Sequence, residues 1–195
     1  NAVHHSHCKL LITSNTYSGN THFDDFSDQG NYWNQTPESY TFDGTNDTIA
    51  HGNPASIQIS STDMSAVAWV NMSTAVSGWR RVISKTNNFY IHTSDGKPLF
   101  AVYQGDTEKK LNHTEYPAPD IRGKGWTLLA TVWDRSTYTV KGYINGILVG
   151  SEQESDANID SDDNLFIGSS AAGGEYYGGG IAQYGIWASE LSAAN

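Results

Sequence analysis

The sequence has little of what would cross-link it or attract it to a polyanion. Only one of its 195 residues is a cysteine, Cys8, so no disulfide can form within the chain. Its 11 lysine and arginine residues are outnumbered by 21 aspartate and glutamate residues, which gives a formal net charge of −10. Because a sequence-independent contact with a phosphate backbone needs clustered cations, we expect no nucleic acid among the partners.

Long apolar runs and helical patterns are also missing. No stretch approaches the roughly 20 apolar residues that a membrane-spanning helix needs, so we expect no insertion into a membrane. Outside residues 188–193, which have the composition of a single helical turn, apolar residues do not follow the spacing of an amphipathic helix. These absences favour a β-rich protein.

Motifs for catalysis are absent as well. Glycosidases flank the bond that they cleave with two carboxyl groups, but no predicted strand has a row of acidic residues on one face. Neither the Glu-x-Asp-x-x-Glu pattern of glucanases nor a Gly-x-Ser-x-Gly elbow occurs. The sequence therefore predicts a protein that is not an enzyme, and a lyase or hydrolase is only the third hypothesis for its function.

The chain does have a good supply of aromatic and uncharged polar residues. Hydrophobic residues make up 37% of it, aromatic residues 12% and charged residues 16%, which is enough for a sizeable core beneath a polar surface. No low-complexity stretch resembles a linker between domains. We predict an N-terminal extension over residues 1–7 and one domain over residues 8–195.

Two tight hairpins are the strongest local prediction. Asp-Gly and Asn-Gly pairs tolerate the positive φ angles that two-residue turns require, and each such pair here lies between alternating apolar runs. Asp95-Gly96 joins residues 88–94 to 97–104, and Asn145-Gly146 joins residues 138–144 to 147–149.

Further strands are predicted along most of the chain. Residues 66–70 and 126–133 have apolar side chains on both alternating faces, as strands in the middle of a packed sandwich do. Shorter strands are expected at residues 8–13, 40–43, 56–59, 81–84, 164–167 and 181–187. We expect the first and the last of these to pair with each other.

Four segments, in order, carry a resemblance to a known family. They are Tyr-Thr-Phe-Asp-Gly-Thr-Asn-Asp at 40–47, Ala-Val-Ala-Trp-Val-Asn at 66–71, Tyr-Ile-Asn-Gly at 143–146, and Gly-Ile-Ala-Gln-Tyr-Gly-Ile-Trp at 180–187 with Glu-Leu-Ser at 190–192. Together they resemble the laminin G-like and pentraxin-like branch of the concanavalin A-like jelly rolls. The resemblance implies an all-β fold, a jelly-roll sandwich of two antiparallel sheets.

The beginning of the chain resembles a narrower variant of that family. Cys-Lys-Leu-Leu-Ile at 8–12 and Asn-Thr-His-Phe-Asp-Asp-Phe-Ser at 20–27 are similar to segments that precede the Phe-Asp-Gly motif in tailed-phage virion proteins. This resemblance implies a virion or extracellular location. Bacterial surface proteins contain similar modules, and a fold alone does not determine a function.

Two places could hold calcium, and we expect at most one structural calcium and no other cofactor. Relatives often bind calcium near the Phe-Asp-Gly motif, which implies Asp43, Asn46 and Asp47 as ligands; alternatively, Asp43 only caps a turn. The second place is an acidic stretch with Asp160, Asp162 and Asp163. This stretch departs from the EF-hand pattern and is also typical of a solvated loop.

Aromatic residues in predicted loops suggest a binding function. An aromatic ring stacks on the apolar face of a sugar while neighbouring polar groups bond its hydroxyls. Alternatively, Trp79 begins a strand and belongs to the core, and Tyr176 and Tyr177 pack over a sheet edge. The candidate ligand-binding residues are Trp33, Trp79, Tyr103, Tyr116, Tyr176 and Tyr177.

The leading hypothesis is a non-catalytic module that binds carbohydrate or another cell-surface ligand. The rival is a purely structural virion component that contacts neighbouring virion proteins or further copies of itself as a homo-oligomer. Exposed aromatic residues grouped together would favour the first function, whereas a flat apolar patch would favour the second.

Overall fold

The computed structural model shows two antiparallel β-sheets packed face to face. It describes residues 8–13, 24–25, 39–59, 62–104, 107–111, 117–153, 159, 161–171 and 173–191. The strands in these ranges are β1 (Cys8–Thr13), β2 (Asp24–Asp25), β3 (Tyr40–Asp43), β4 (Ile49–Gly52), β5 (Met64–Met72), β6 (Trp79–Lys85), β7 (Phe89–Ser94), β8 (Lys97–Gln104), β9 (Thr107–Leu111), β10 (Thr127–Asp134), β11 (Thr139–Ile144), β12 (Ile147–Gln153), β13 (Leu165–Ile167) and β14 (Gly178–Trp187).

The strands form one sheet of eight and one of six. The order of the first is β12-β11-β10-β5-β14-β1-β2, with β3 also paired to β14. The order of the second is β4-β13-β6-β7-β8-β9. Helical structure in the described ranges amounts to a short 3-10 turn at Ala55–Ile57, and no helix there is long and apolar enough to cross a membrane. The predicted all-β sandwich is confirmed.

Both predicted hairpins are present with the expected backbone geometry. Asp95 and Gly96 have φ angles of 48° and 80°, and Asn145 and Gly146 have φ angles of 52° and 77°. Positive φ at both central residues matches the right-handed twist of the flanking strands. These turns fix the register of β7 with β8 and of β11 with β12.

The two ends of the described chain meet in the eight-stranded sheet. One edge of β14 pairs with β3 through its first half and with β1 through its second half, where Leu10 lies opposite Ile186 and Ile12 opposite Tyr184. The other edge of β14 pairs with β5. The expected pairing of the first and last strands is therefore confirmed.

The core lies between the two sheets and is closely packed. Its largest side chains include Trp133 of β10, Phe89 of β7 and Phe100 of β8, all fully buried. Phe100 lies against Gly142 of β11, so closely that a Cβ atom at this glycine would overlap the ring. A larger residue at position 142 would therefore force the Phe100 ring or the backbone of β11 to shift.

Two tryptophans on the outer face of the eight-stranded sheet are more exposed than the sequence predicts. Trp69 of β5 is 37% exposed and Trp126, just before β10, is 43% exposed, although both were expected to be buried in the middle of the sandwich. Strands β5 and β10 are indeed central within their sheet. In a two-layer sandwich each sheet buries one face against the other, and these two side chains lie on the opposite face of their sheet, where solvent reaches them.

Candidate ligand-binding site

Three neighbouring strands, β6, β7 and β8, place aromatic and charged side chains on the outer face of the six-stranded sheet. Phe89 and Ile91 of β7 face the core, so the alternation of side chains along a strand directs Tyr90 and His92 outward. In the register of the sheet, His92 lies opposite Arg81 of β6. We call the set of Trp79, Arg81, Tyr90, His92, Tyr103 and Glu175 the aromatic face.

The rings of this face touch one another across the three strands. The ring centroids of Trp79 and His92 are 4.5 Å apart with an interplanar angle of 74°, and those of Tyr90 and His92 are also 4.5 Å apart. Tyr103 of β8 extends the row, with its centroid 5.7 Å from that of Tyr90. Tyr90 and His92 are buried, whereas Trp79 is 42% exposed. The indole is thus presented to solvent on a packed support.

An ion pair borders the ring row. The guanidinium carbon of Arg81 lies 3.9 Å from the centroid of the Tyr90 ring, which is cation–π geometry. Arg81 Nε donates to Glu175 Oε2 at 2.5 Å, and the backbone N–H of Arg81 donates to the carbonyl of Glu175 at 2.8 Å. The side chains of Arg81 and Glu175 are 12% and 34% exposed. A hydrogen-bond donor and an acceptor therefore lie side by side near Trp79.

The loop before β14 holds Glu175 in place. Glu175 has a φ of 49°, a left-handed conformation that a residue with a side chain adopts only when its surroundings impose it. Arg80 supplies part of that constraint, because its Nη1 donates to the carbonyl of Tyr176 at 3.0 Å and its Nε to that of Ser77 at 2.8 Å. The loop is thus fastened to the start of β6.

The structure does not place the six predicted ligand-binding residues in one common environment. Trp79 and Tyr103 lie on the aromatic face, and the exposure of Trp79 excludes the alternative that it belongs to the core. Tyr176 is half-buried in the loop that carries Glu175. Trp33 and Tyr116 lie outside the described residues, so their predicted role stays a prediction.

Tyr177 corrects the prediction, because it is a core residue. It is fully buried and meets Phe42 edge-on, with ring centroids 6.3 Å apart. Its Gly-rich surroundings suggested a surface turn, but the chain enters β14 at the next residue and carries the ring inward. Burial raises the pKa of its phenol well above the ordinary value. Tyr177 is therefore not available to stack on a surface ligand.

The Phe-Asp-Gly turn uses its carboxylates internally. Asp43 Oδ1 accepts hydrogen bonds from the backbone N–H groups of Thr45 at 2.7 Å and Asn46 at 3.2 Å, and Asp47 Oδ2 accepts one from the N–H of Asp43 at 2.7 Å. Asp43 thus caps the turn, as the alternative to calcium binding predicts. Among the described residues, no three His, Cys, Asp or Glu side chains group as metal ligands would. Calcium at Asp43, Asn46 and Asp47 stays a prediction.

The second predicted calcium region is attached to the end of β6. Lys85 is fully buried, and its ammonium group donates to the carbonyl of Ser161. Ser161 Oγ donates to the carbonyl of Thr86 at 2.6 Å, and Asn87 donates to Asp163 Oδ2 at 3.2 Å. Asp162 is exposed, and Asp160 lies outside the described residues. In this region, therefore, the ammonium group of Lys85 is a cation that contacts the backbone of the acidic loop.

Four members of the aromatic face were missed at the level of sequence: Arg81, Tyr90, His92 and Glu175. A signal for two of them was available, because the Asp95-Gly96 turn sets the register of β7 and places Tyr90 and His92 on one face with Tyr103 near by. Glu175 lies 94 residues from Arg81 along the chain, and nothing local in the sequence connects them.

The sequence matches the model of a known family. Residues 43–195 match the family described as the "Concanavalin A-like lectin/glucanases superfamily". Among curated proteins, none matches the sequence.

Solved structures of similar fold include binding domains. The CBM40 of the Ruminococcus gnavus IT-sialidase, bound to α2,3-sialyllactose, is 15% identical with a TM-score of 0.65, and the match covers 80% of this chain and 93% of that one. The binding domain of botulinum neurotoxin serotype D is 16% identical with a TM-score of 0.70, with 97% and 49% covered. The binding domain of Paraclostridial Mosquitocidal Protein 1 is 12% identical with a TM-score of 0.67, with 97% and 51% covered. The chain thus spans about half the length of the two toxin domains.

Proposed function

The chain belongs to the concanavalin A-like lectin/glucanases superfamily, and from that premise we propose that it is a non-catalytic module that binds carbohydrate through its aromatic face. One observation carries the proposal: Trp79 is 42% exposed on a support of buried rings, beside the donor and acceptor groups of Arg81 and Glu175. A sugar needs both elements, because its apolar face stacks on an aromatic ring while its hydroxyls require hydrogen bonds.

The solved structures of similar fold support a binding role. One of them is a sialidase-associated module bound to sialyllactose, and two others are toxin binding domains. At 12–16% identity these likenesses extend to the fold, so the ligand of this chain has to be argued from its own residues.

The composition of the aromatic face supports binding without turnover. Glycoside hydrolysis uses two carboxyl groups on opposite sides of one bond, and the aromatic face as defined contains one carboxylate. That carboxylate, on Glu175, is already bonded to Arg81 at 2.5 Å.

We further propose that the module belongs to a phage virion protein or another extracellular protein. Support comes from the resemblance of residues 8–12 and 20–27 to segments of tailed-phage virion proteins. Attachment through many copies on one particle would compensate for weak binding at each sugar site.

A second candidate function, a structural role in an assembly, is favoured by exposed apolar residues on and beside the eight-stranded sheet. Trp69, Trp126, Ile147 and Leu148 are large hydrophobic residues with exposed fractions of 37%, 43%, 69% and 51%, all carried by the eight-stranded sheet or its hairpin. Exposed apolar surface of this kind marks protein contacts in many monomers.

Two single substitutions distinguish these functions. Trp79 and Trp126 are equally exposed, at 42% and 43%, but Trp79 begins β6 of one sheet and Trp126 lies just before β10 of the other, so Trp126→Ala is a matched control for Trp79→Ala. On an array of polysaccharides and oligosaccharides, we expect Trp79→Ala to weaken binding about tenfold or more and Trp126→Ala to leave it unchanged. Loss of binding in the Trp126 variant alone would move the site to the other sheet. A lack of glycan binding, together with self-association that Trp126→Ala abolishes, would establish the structural role.

A further inference from the structure

We propose that the ion pair between Arg81 and Glu175 makes the aromatic face selective for uncharged sugars with neighbouring hydroxyl groups, and that Glu175 is the residue that excludes acidic sugars. The inference rests on the proposed function and names the class of ligand for the same site.

The guanidinium of Arg81 is fixed from two sides. It lies 3.9 Å from the centroid of the Tyr90 ring, and its Nε bonds Glu175 at 2.5 Å. No described residue accepts a hydrogen bond from its Nη1 or Nη2, which are the two donors of the planar fork farthest from the chain. Arg81 can therefore donate to a ligand while its charge is already balanced by Glu175.

Glu175 complements this donor. Its Oε2 accepts from Arg81, and its side chain is 34% exposed, so the second oxygen can accept from a ligand. A sugar hydroxyl both donates and accepts a hydrogen bond, and two adjacent hydroxyls can use the donor and the acceptor of this pair together. A carboxylate on a sugar can only accept, and it would meet the negative charge of Glu175.

An acidic sugar would have to displace Glu175 from Arg81. The competing carboxylate is on the same chain and is held close by the backbone bond from Arg81 to the Glu175 carbonyl at 2.8 Å. Arg80 fastens the adjacent carbonyl of Tyr176 at 3.0 Å. A tethered partner acts at a high effective concentration, which a weakly bound ligand cannot match. An acidic ligand therefore does not displace Glu175 from Arg81.

Net charge acts in the same direction but over a longer range. The formal charge of −10 repels anions everywhere around the molecule, and salt screens this repulsion with a Debye length of about 8 Å at physiological ionic strength. Discrimination by Glu175 takes place at contact and should persist in added salt. Measurements at two salt concentrations therefore separate the two effects.

The chain offers a matched control for Glu175. Glu190 is 35% exposed and pairs with Lys141 at 2.6 Å on the other sheet, so Glu190→Gln makes the same change of charge in a similar ion pair. Glu175→Gln removes the acceptor charge at the site. Because Glu175 has a φ of 49°, Glu175→Gly provides a second variant that tolerates this backbone conformation if the first is unstable.

The experiment compares the full chain and these variants on an array of matched neutral and acidic glycans, such as lactose and α2,3-sialyllactose, at low and high salt. We expect the original chain to bind neutral members at least about tenfold more tightly than their acidic counterparts. Either Glu175 variant should reduce this ratio about tenfold, and Glu190→Gln should leave it unchanged.

The possible results distinguish failure of the proposed role of Glu175 from failure of the proposed carbohydrate binding. If Trp79→Ala abolishes glycan binding but the ratio of neutral to acidic binding is the same in all chains, the carbohydrate function stands and the role of Glu175 is refuted. Tighter binding of acidic members by the original chain refutes it as well. If no glycan binds, the proposed function and the inference both fail.

Discussion

Tyr177 carries a phenol hydroxyl into the core, where no described residue forms a hydrogen bond with it. Leaving such a group unpaired costs about 1–3 kcal/mol. The ring, in contrast, packs against Phe42 and fills space between the sheets. At the scale of single residues, then, this tyrosine stabilises the fold through its ring rather than its hydroxyl.

Two substitutions test whether the ring or the hydroxyl of Tyr177 stabilises the fold. Tyr177→Phe keeps the ring and removes the unpaired hydroxyl, so we expect the free energy of unfolding to stay the same or rise by up to about 1 kcal/mol. Tyr177→Ala removes the ring and should lower the free energy of unfolding by about 3–5 kcal/mol. Urea denaturation measures both. A loss of more than about 1 kcal/mol in the Phe variant would mean that the hydroxyl has a hydrogen-bond partner.

At the scale of elements, the turn from β10 to β11 depends on one carboxylate. Asp134 Oδ1 accepts hydrogen bonds from the Ser136 hydroxyl at 2.7 Å, the Ser136 N–H at 3.0 Å and the Thr137 N–H at 3.2 Å. These hydrogen bonds, with a smaller contribution from Lys141 at 3.5 Å, lower the pKa of Asp134 to about 2. The ionised form is therefore the one that holds the turn.

Protonation of Asp134 at low pH should destabilise the turn between β10 and β11. Because the pKa of Asp134 in the fold is about 2, below the ordinary 3.8, its ionisation stabilises the fold above about pH 4, and this stabilisation is lost as the pH falls to about 2. Asp134→Asn should lower the free energy of unfolding by about 1 kcal/mol at neutral pH. The difference from the original chain should shrink between about pH 4 and pH 2.

Thermal denaturation over that pH range measures the difference. Asp162→Asn is the control, since Asp162 is exposed in the acidic loop. A difference between the Asp134 variant and the original chain that stays constant down to pH 2 would show that the carboxylate charge does not stabilise the turn.

Strand β1 makes a second prediction at this scale. Its backbone pairs with the second half of β14, so deleting residues 1–14 would leave that half of β14 as an exposed edge. We expect a clear fall in the melting temperature, or failure to fold. Deleting residues 1–7 alone keeps β1 and should change the melting temperature little. An unchanged melting temperature in the longer deletion would contradict a structural role for β1.

At the scale of the whole molecule, the sequence predicts the sandwich better than the site. Asp95-Gly96 and Asn145-Gly146 determine local backbone geometry, so the hairpins and the strands around them follow from neighbouring residues. Exposure depends instead on how the layers stack. Trp69 and Trp126 have the same apolar character as buried residues, and only the absence of a third layer over their sheet, within the described part of the chain, leaves them exposed. The pairing of Arg81 with Glu175 requires the complete fold.

Calcium, if it binds, should stabilise the molecule as a whole. A ligand that binds only the native state raises the melting temperature with the logarithm of its concentration. We predict at most one site, at the turn of Asp43, Asn46 and Asp47, and Asp47→Asn should abolish the rise that calcium produces. The alternative site at Asp160, Asp162 and Asp163 would instead be lost in Asp162→Asn. Melting curves that are the same in EDTA and in millimolar calcium would exclude both sites.

The buried lysine at the end of β6 also has a consequence for chemical labelling. Lys85 is fully enclosed and bonded to the carbonyl of Ser161, so an acylating reagent in solution cannot reach its amine while the domain is closed. Lysines on the surface would be modified within the first moments of exposure to the reagent. The slow appearance of label on Lys85 would therefore record how often the domain opens at the acidic loop. Mass spectrometry of the labelled chain would measure the rate at which Lys85 is acylated, and that rate would report how often the native domain opens locally.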